Sequence, residues 1–160
     1  MIIRRAQLGD AKALLTLAQQ LATSFVIDPQ AFEIALPEIL ANASSYLAVA
    51  IRNSSEQRAA ADCDNWAGEV ESKAASEIVG YVLGFNHFTF YAKGRVAWVA
   101  EIVVHEAFRK RGIGTLLMQS FEAWAARQNA KLVALSSRRA VPFYQALGYE
   151  ESARYLRKFL

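Results

Sequence analysis

Apolar and polar positions alternate at short range at the start of the chain, then change period twice. "MIIRRAQ" reads as a short strand, and Asp10 is placed to cap a helix with Leu14, Leu15, Ala18 and Leu21 on one face. Asp28-Pro29 is a cap followed by a first-turn proline, and Phe32, Ala35, Leu36, Ile39 and Leu40 keep helical spacing after it. Pro37 interrupts that pattern and predicts a kink or two short pieces. "SYLAVAI" (45–51) is strand-like. Residues 52–77 lose both periods: they are polar, rich in small residues and net acidic, and predict a long exposed hairpin loop. The alternative is a lid or contact element pinned by Trp66.

Periodicity returns with two apolar, β-branched and aromatic segments, 78–91 and 94–106, joined by a Lys93-Gly94 turn as a hairpin. Residues 113–128 carry the strongest helical pattern, with Ile113, Leu116, Leu117, Phe121 and Trp124 on one face and Asn129 at the exit. "KLVALSS" (131–137) is a short buried-type strand. Pro142 opens a last helix that stops at Gly148, and "YEESARYLRKFL" alternates as a closing strand or hairpin. The order β-α-α-β-β-β-α-β-α-β predicts an α+β sandwich, mostly antiparallel early, with a β-α-β unit around residues 105–118.

Composition narrows this little. The chain has 160 residues, 54% hydrophobic and 21% charged, which is globular and fits one domain over residues 1–160. One cysteine, Cys63, leaves no internal disulfide. No signal-peptide pattern and no membrane-length apolar run are present, so the expectation is a soluble cytoplasmic protein with no membrane partner. The net charge of +3 suits an anionic ligand and is far short of a nucleic-acid arm, so no nucleic-acid partner is expected.

The chemistry concentrates in "HEAFRKRGIGTLLM" (105–118). The first N–H groups of a helix lack intrahelical partners and carry partial positive charge. Gly112 and Gly114 bare the backbone there, and Arg109, Lys110 and Arg111 surround it with cations. This is the pattern of an anion site. A dinucleotide fingerprint would need a third glycine where Leu117 stands, and a phosphate loop would need Gly-Lys-Ser/Thr.

With its preceding strand, this segment resembles the acetyl-CoA signature of the GNAT N-acetyltransferase superfamily, R/Q-x-x-G-x-G/A, at Arg109, Gly112 and Gly114. Further on, "SSRRAVPFYQALGYE" resembles that family's second block at Ala140, Phe143, Tyr144, Gly148 and Tyr149, with Ser137 where asparagine is frequent. The opening "IIRRAQLGDAKALLTLA" also looks like a family start.

The resemblance implies a central mixed, mostly antiparallel sheet flanked by helices, and acetyl-CoA as acetyl donor with no metal. The pyrophosphate would lie on Arg109, Lys110, Arg111, Gly112, Ile113, Gly114 and Thr115, mainly through backbone. The pantetheine arm would add as a strand beside Ile102, Val103 and Val104. Tyr144 matches the tyrosine that often protonates the leaving thiolate, and Ser137 joins the cofactor residues. A Lys-like amine is only about 1 in 2,500 neutral at pH 7, so a proton acceptor is needed. Glu101, an acid within "AWVAEIVV", is the candidate base or substrate-binding acid. His105 at the strand end is a lesser candidate base, and the aromatic strand around His87 is a candidate lining of an acceptor pocket. The expected partner is a small-molecule amine. Protein acetylation, or a non-catalytic acyl-CoA sensor, is the alternative, and family analogy allows a homodimer.

Overall fold

The computed structural model describes residues 1–21, 26–53 and 76–158. Among them are five strands and four α-helices. These are β1 Ile2–Arg5, α1 Ala11–Leu21, α2 Pro29–Ala41, β2 Ser45–Asn53, β3 Ser76–Thr89, β4 Gly94–Val104, α3 Ile113–Arg127, β5 Ala130–Leu135 and α4 Val141–Ala146. The sheet order is β1-β2-β3-β4-β5, antiparallel except for the parallel β4–β5 pair. That parallel pair is joined through α3, the β-α-β unit expected around the glycine motif.

Helices cover both faces. On one, Leu14, Leu17, Ala18 and Leu36 pack against Leu47, Val49, Tyr81, Leu83 and Val103. On the other, Leu117, Met118, Phe121 and Trp124 pack against Tyr46, Ala48, Val82, Ala97 and Val99, with Tyr144 of α4 in the same cluster. The first turn is tied down separately. Arg4 donates to both Asp10 oxygens at 2.7 and 2.8 Å, and the Gln7 N–H donates to the same carboxylate at 2.8 Å. The Arg4 hydrogen bonds hold the Asp10 carboxyl below its ordinary range. Asp10 thus closes a short 3-10 turn, Leu8–Asp10, ahead of α1.

Several expectations change. Pro37 does not split α2, which is one helix. Pro37 and Glu33 are both exposed, so water can serve the Glu33 carbonyl that the missing N–H leaves. In α1 Leu17 is buried and Leu21 is exposed; in α3 Leu116 is exposed and Met118 is buried. The strands reach further into the 52–77 segment, with Arg52 paired to Glu77 and Asn53 to Ser76. Trp66 and residues 54–75 lie outside the described residues. The closing strand is not formed over 150–158, which are exposed and without regular structure. Glu150, Glu151, Arg154, Arg157 and Lys158 leave that stretch little apolar area to bury, and Tyr155 and Leu156, being adjacent, cannot share a strand face. Among the described residues no helix is long and apolar enough to cross a membrane.

One irregularity positions everything that follows. On β3, Leu83 pairs with Glu101 but Gly84 pairs with Val99, so Ala100 is an extra residue on β4. The bulge flips the face of every later side chain. Val99 packs toward α3, whereas Val103, of the same parity, packs toward α1 and α2. Opposite the bulge, a Cβ on Gly84 would meet the Phe121 ring and stand 2.5 Å from the Trp98 carbonyl oxygen. The glycine is therefore needed for close approach of α3. Gly84→Ala should destabilise the fold by about 1–3 kcal/mol, seen as a lowered urea midpoint. An unchanged midpoint would show that α3 does not depend on this approach.

Candidate active site

The β4–β5 ladder makes its last pair at Val99 and Leu135, while β4 continues to Val104 against β3. The His105 N–H donates to the Val79 carbonyl at 2.8 Å, so that residue faces β3. Alternation along an antiparallel ladder turns Val103 and Glu101 toward β3 as well. The backbone groups of Ile102 and Val104 point the other way, where β5 has ended. Val103 does not share this, and it belongs to the core beneath α1 and α2. Of the three residues expected along the pantetheine arm, two present an open edge. Arg109 Nε already donates to the Val104 carbonyl at 3.0 Å, tying the following turn to the strand end.

That turn brings the chain into α3. His105 Nδ1 accepts from the Ala107 N–H at 3.3 Å and its ring lies 5.6 Å from that of Phe108, so its place is a local cap. The Arg111 guanidinium lies 5.6 Å from the Phe108 ring centre. Lys110 and Gly112 adopt positive φ, 61° and 77°. Gly112 is the N-cap of α3, has no side-chain cap, and accepts from the Leu116 N–H at 3.1 Å. The N–H groups of Ile113, Gly114 and Thr115 are the helix's orphan donors. A Cβ at Gly112 would meet nothing within 4 Å, and Arg109, Lys110, Arg111 and Gly112 are all exposed. The start of α3 thus combines bare backbone, N–H groups without intrahelical partners and three nearby cations.

Gly114 places this cradle beside α4, since a Cβ there would lie 3.2 Å from Phe143 Cζ. Phe143 stacks edge-on to Tyr144, ring centres 5.0 Å apart. Tyr144 is buried, and that burial raises its phenol pKa above the ordinary value. Ser137 Oγ accepts from the Ala140 N–H at 3.1 Å and so shapes the entry to α4. Ser137, Tyr144 and Trp98 line one cavity of about 330 Å³ beside β5.

Glu101 lies on the other side of the sheet. The bulge turns it toward α1 and α2, into a second cavity of about 320 Å³. There the Tyr81 hydroxyl donates to Glu101 Oε2 at 2.6 Å. Tyr81 is buried, and burial together with the adjacent carboxylate pushes its phenol far up, so it remains a donor. The sheet gap beyond Val99 and Leu135 lies beside Glu101, between these two faces. His87, Phe88, Phe90 and Tyr91 are exposed at or near the β3–β4 hairpin tip and line neither cavity, against the expectation for that strand. Sequence reasoning missed Tyr81 and Trp98. A tyrosine inside the apolar run "IVGYVLG" was the available signal, but its partner depends on strand register.

The family model described as Acetyltransferase (GNAT) family matches residues 32–149, well over half of the chain. The chain belongs to the GNAT acetyltransferase family. A curated relative, an uncharacterized N-acetyltransferase of Methanocaldococcus jannaschii, is 34% identical over 84 residues, covering 47% of this chain. The match spans 37% of that relative's length, little more than a third. Among solved structures, glucosamine-6-phosphate N-acetyltransferase of Arabidopsis thaliana is similar at TM-score 0.75 and 16% identity, over 99% of this chain and 97% of that one. An aminoglycoside N-acetyltransferase solved with CoA is similar at TM-score 0.73 and 17% identity, over 99% and 93%. A transcriptional regulator from Bacillus halodurans is similar at TM-score 0.77 and 22% identity, over 99% of both chains. At these identities the GNAT fold alone is shared, and it serves proteins described in different terms.

Gly112→Ala separates the roles of this turn. The left-handed φ of 77° should cost roughly 1–2 kcal/mol, and the open space lets the chain fold. The new methyl stands where an anion would approach, so acetyl-CoA affinity should fall at least about tenfold, measured by calorimetry. Affinity within twofold of the parent would remove the cradle from the binding site.

Proposed function

We propose that this protein is an acetyl-CoA-dependent N-acetyltransferase acting on the primary amine of a small molecule. The observation that carries the reading is the uncapped, cation-flanked start of α3, adjoining the strand edge that β5 leaves open. Family membership and the buried Tyr144 support it. The donor's pyrophosphate rests on the N–H groups of Ile113, Gly114 and Thr115 with Lys110 and Arg111 nearby. Its amide-bearing arm pairs with the Ile102 and Val104 backbone. Hydrogen bonds to a charged group contribute about 1.5–3 kcal/mol each against ~0.3–1 for the helix dipole, so the donors dominate.

The acceptor arrives as an ammonium ion. Glu101 takes one proton, directly or through water, and the freed amine nitrogen attacks the thioester carbonyl carbon. The C–N bond forms, the C–S bond breaks, the departing sulfur takes a proton from the Tyr144 hydroxyl, and the nitrogen's second proton returns through water to the Tyr144 phenolate, while Glu101 releases its proton to solvent. The products are the acetamide and CoA as its thiol. Burial favours this use of Tyr144, because a phenol with a raised pKa is fully protonated at neutral pH. A cavity of about 320 Å³ is near the lower bound of ligand pockets, which favours a small acceptor over a peptide.

Release of CoA thiol should depend on an added amine. Tyr144→Phe should lower kcat roughly 100-fold with little change in acetyl-CoA affinity. Parent activity should rise with pH as the amine deprotonates, and Tyr144 should impose no falling limb below about pH 10. Unchanged kcat in Tyr144→Phe would remove it as the acid.

A further inference from the structure

The cavity that holds Glu101 also describes the molecule that fits it. Its walls are apolar, formed by side chains such as Leu14, Phe32, Leu36, Leu47 and Leu83. Among the described residues lining it, the titratable groups are Asp28, Tyr81 and Glu101; none is a lysine, arginine or histidine. The Tyr81 hydroxyl, anchored on a buried strand, holds Glu101 by one hydrogen bond of 2.6 Å. A carboxylate accepts about four such bonds, so capacity remains for a ligand's donors. A carboxylate facing an apolar wall is costly unless a cation meets it.

We propose that the acceptor is a singly charged primary amine with a compact apolar body, an alkylamine or aralkylamine. Its ammonium group meets Glu101, and its body lies against the α1 and α2 side chains. This rests on the acetyltransferase reading and goes beyond it by naming the acceptor class. A phosphorylated amino sugar finds no cation among the described residues of this lining to pair its phosphate. A polycationic, polyhydroxylated amine would leave its hydroxyls unpaired against leucine and phenylalanine. The cavity adjoins the sheet gap through Glu101, two residues past the last β4–β5 pair, so an amine held there lies beside the edge assigned to the donor.

The test uses the full chain with phenethylamine, hexylamine, glucosamine-6-phosphate and an aminoglycoside. Binding is followed by saturation-transfer NMR and calorimetry, and transfer by thiol release. The two apolar amines should bind and be acetylated with kcat/KM at least tenfold above the other two. Glu101→Gln should weaken phenethylamine binding at least about tenfold, with acetyl-CoA affinity held within twofold. Ala35→Trp provides a second variant, because Ala35 is exposed at the cavity and a large ring there should block the amine without lowering the melting temperature. Transfer to the sugar phosphate or aminoglycoside, with no binding of apolar amines, would overturn the acceptor class and leave acetyl transfer standing. Apolar-amine binding that both variants weaken, without transfer to any amine, would support the cavity and overturn the transferase reading.

Discussion

At Val99 and Leu135 the parallel ladder of β4 and β5 makes its last pair, and β4 runs on through Ala100–Val104 without that neighbour. Backbone donors and acceptors must be paired or wet, so a strand edge left open inside a fold is a place for a ligand's amides. Two local features hold the edge open. The Ala100 bulge redirects β4, and the Ser137–Ala140 hydrogen bond turns the chain out of β5 toward α4. The same bulge sends Glu101 to the α1 and α2 face. One inserted residue therefore sets both the open edge and the face that Glu101 occupies.

Packing carries this geometry to the start of α3. Gly84, opposite the bulge, admits the Phe121 ring, and Phe121 with Leu117 and Met118 seats α3 on the sheet. Burying three such side chains contributes roughly 1.5–3 kcal/mol each, more than the strain of the left-handed Lys110 in the turn could offset. The helix start can therefore stay uncapped. Its orphan N–H groups are held in position by a core that does not need them for stability.

Elements with a strong period were legible in the sequence. Most of the α3 face (Ile113, Leu117, Phe121 and Trp124) and the Asp28-Pro29 start of α2 follow from residue type and spacing, as does the β3–β4 hairpin, although its turn is Phe90–Lys93 and Gly94 already begins β4. The bare, cation-flanked start of α3 was legible too, because glycine and charge at a helix start have a local meaning. What depended on pairing was not. The bulge at Ala100 leaves no mark in "AWVAEIVV", so neither the face of Glu101 nor its bond to Tyr81 could be read. Nor could the exclusion of Val103 from the open edge. The tail misled because its alternation is real, while its charges leave too little to bury.

The most direct measurement is amide hydrogen exchange by NMR, with and without acetyl-CoA. The account predicts that the cofactor slows exchange and shifts resonances at Ile102, Val104, Ile113, Gly114 and Thr115. Val103, already facing β3, should change least among its neighbours. Binding that leaves the α3-start and β4-edge amides unaltered, or no binding by a folded sample, would contradict it.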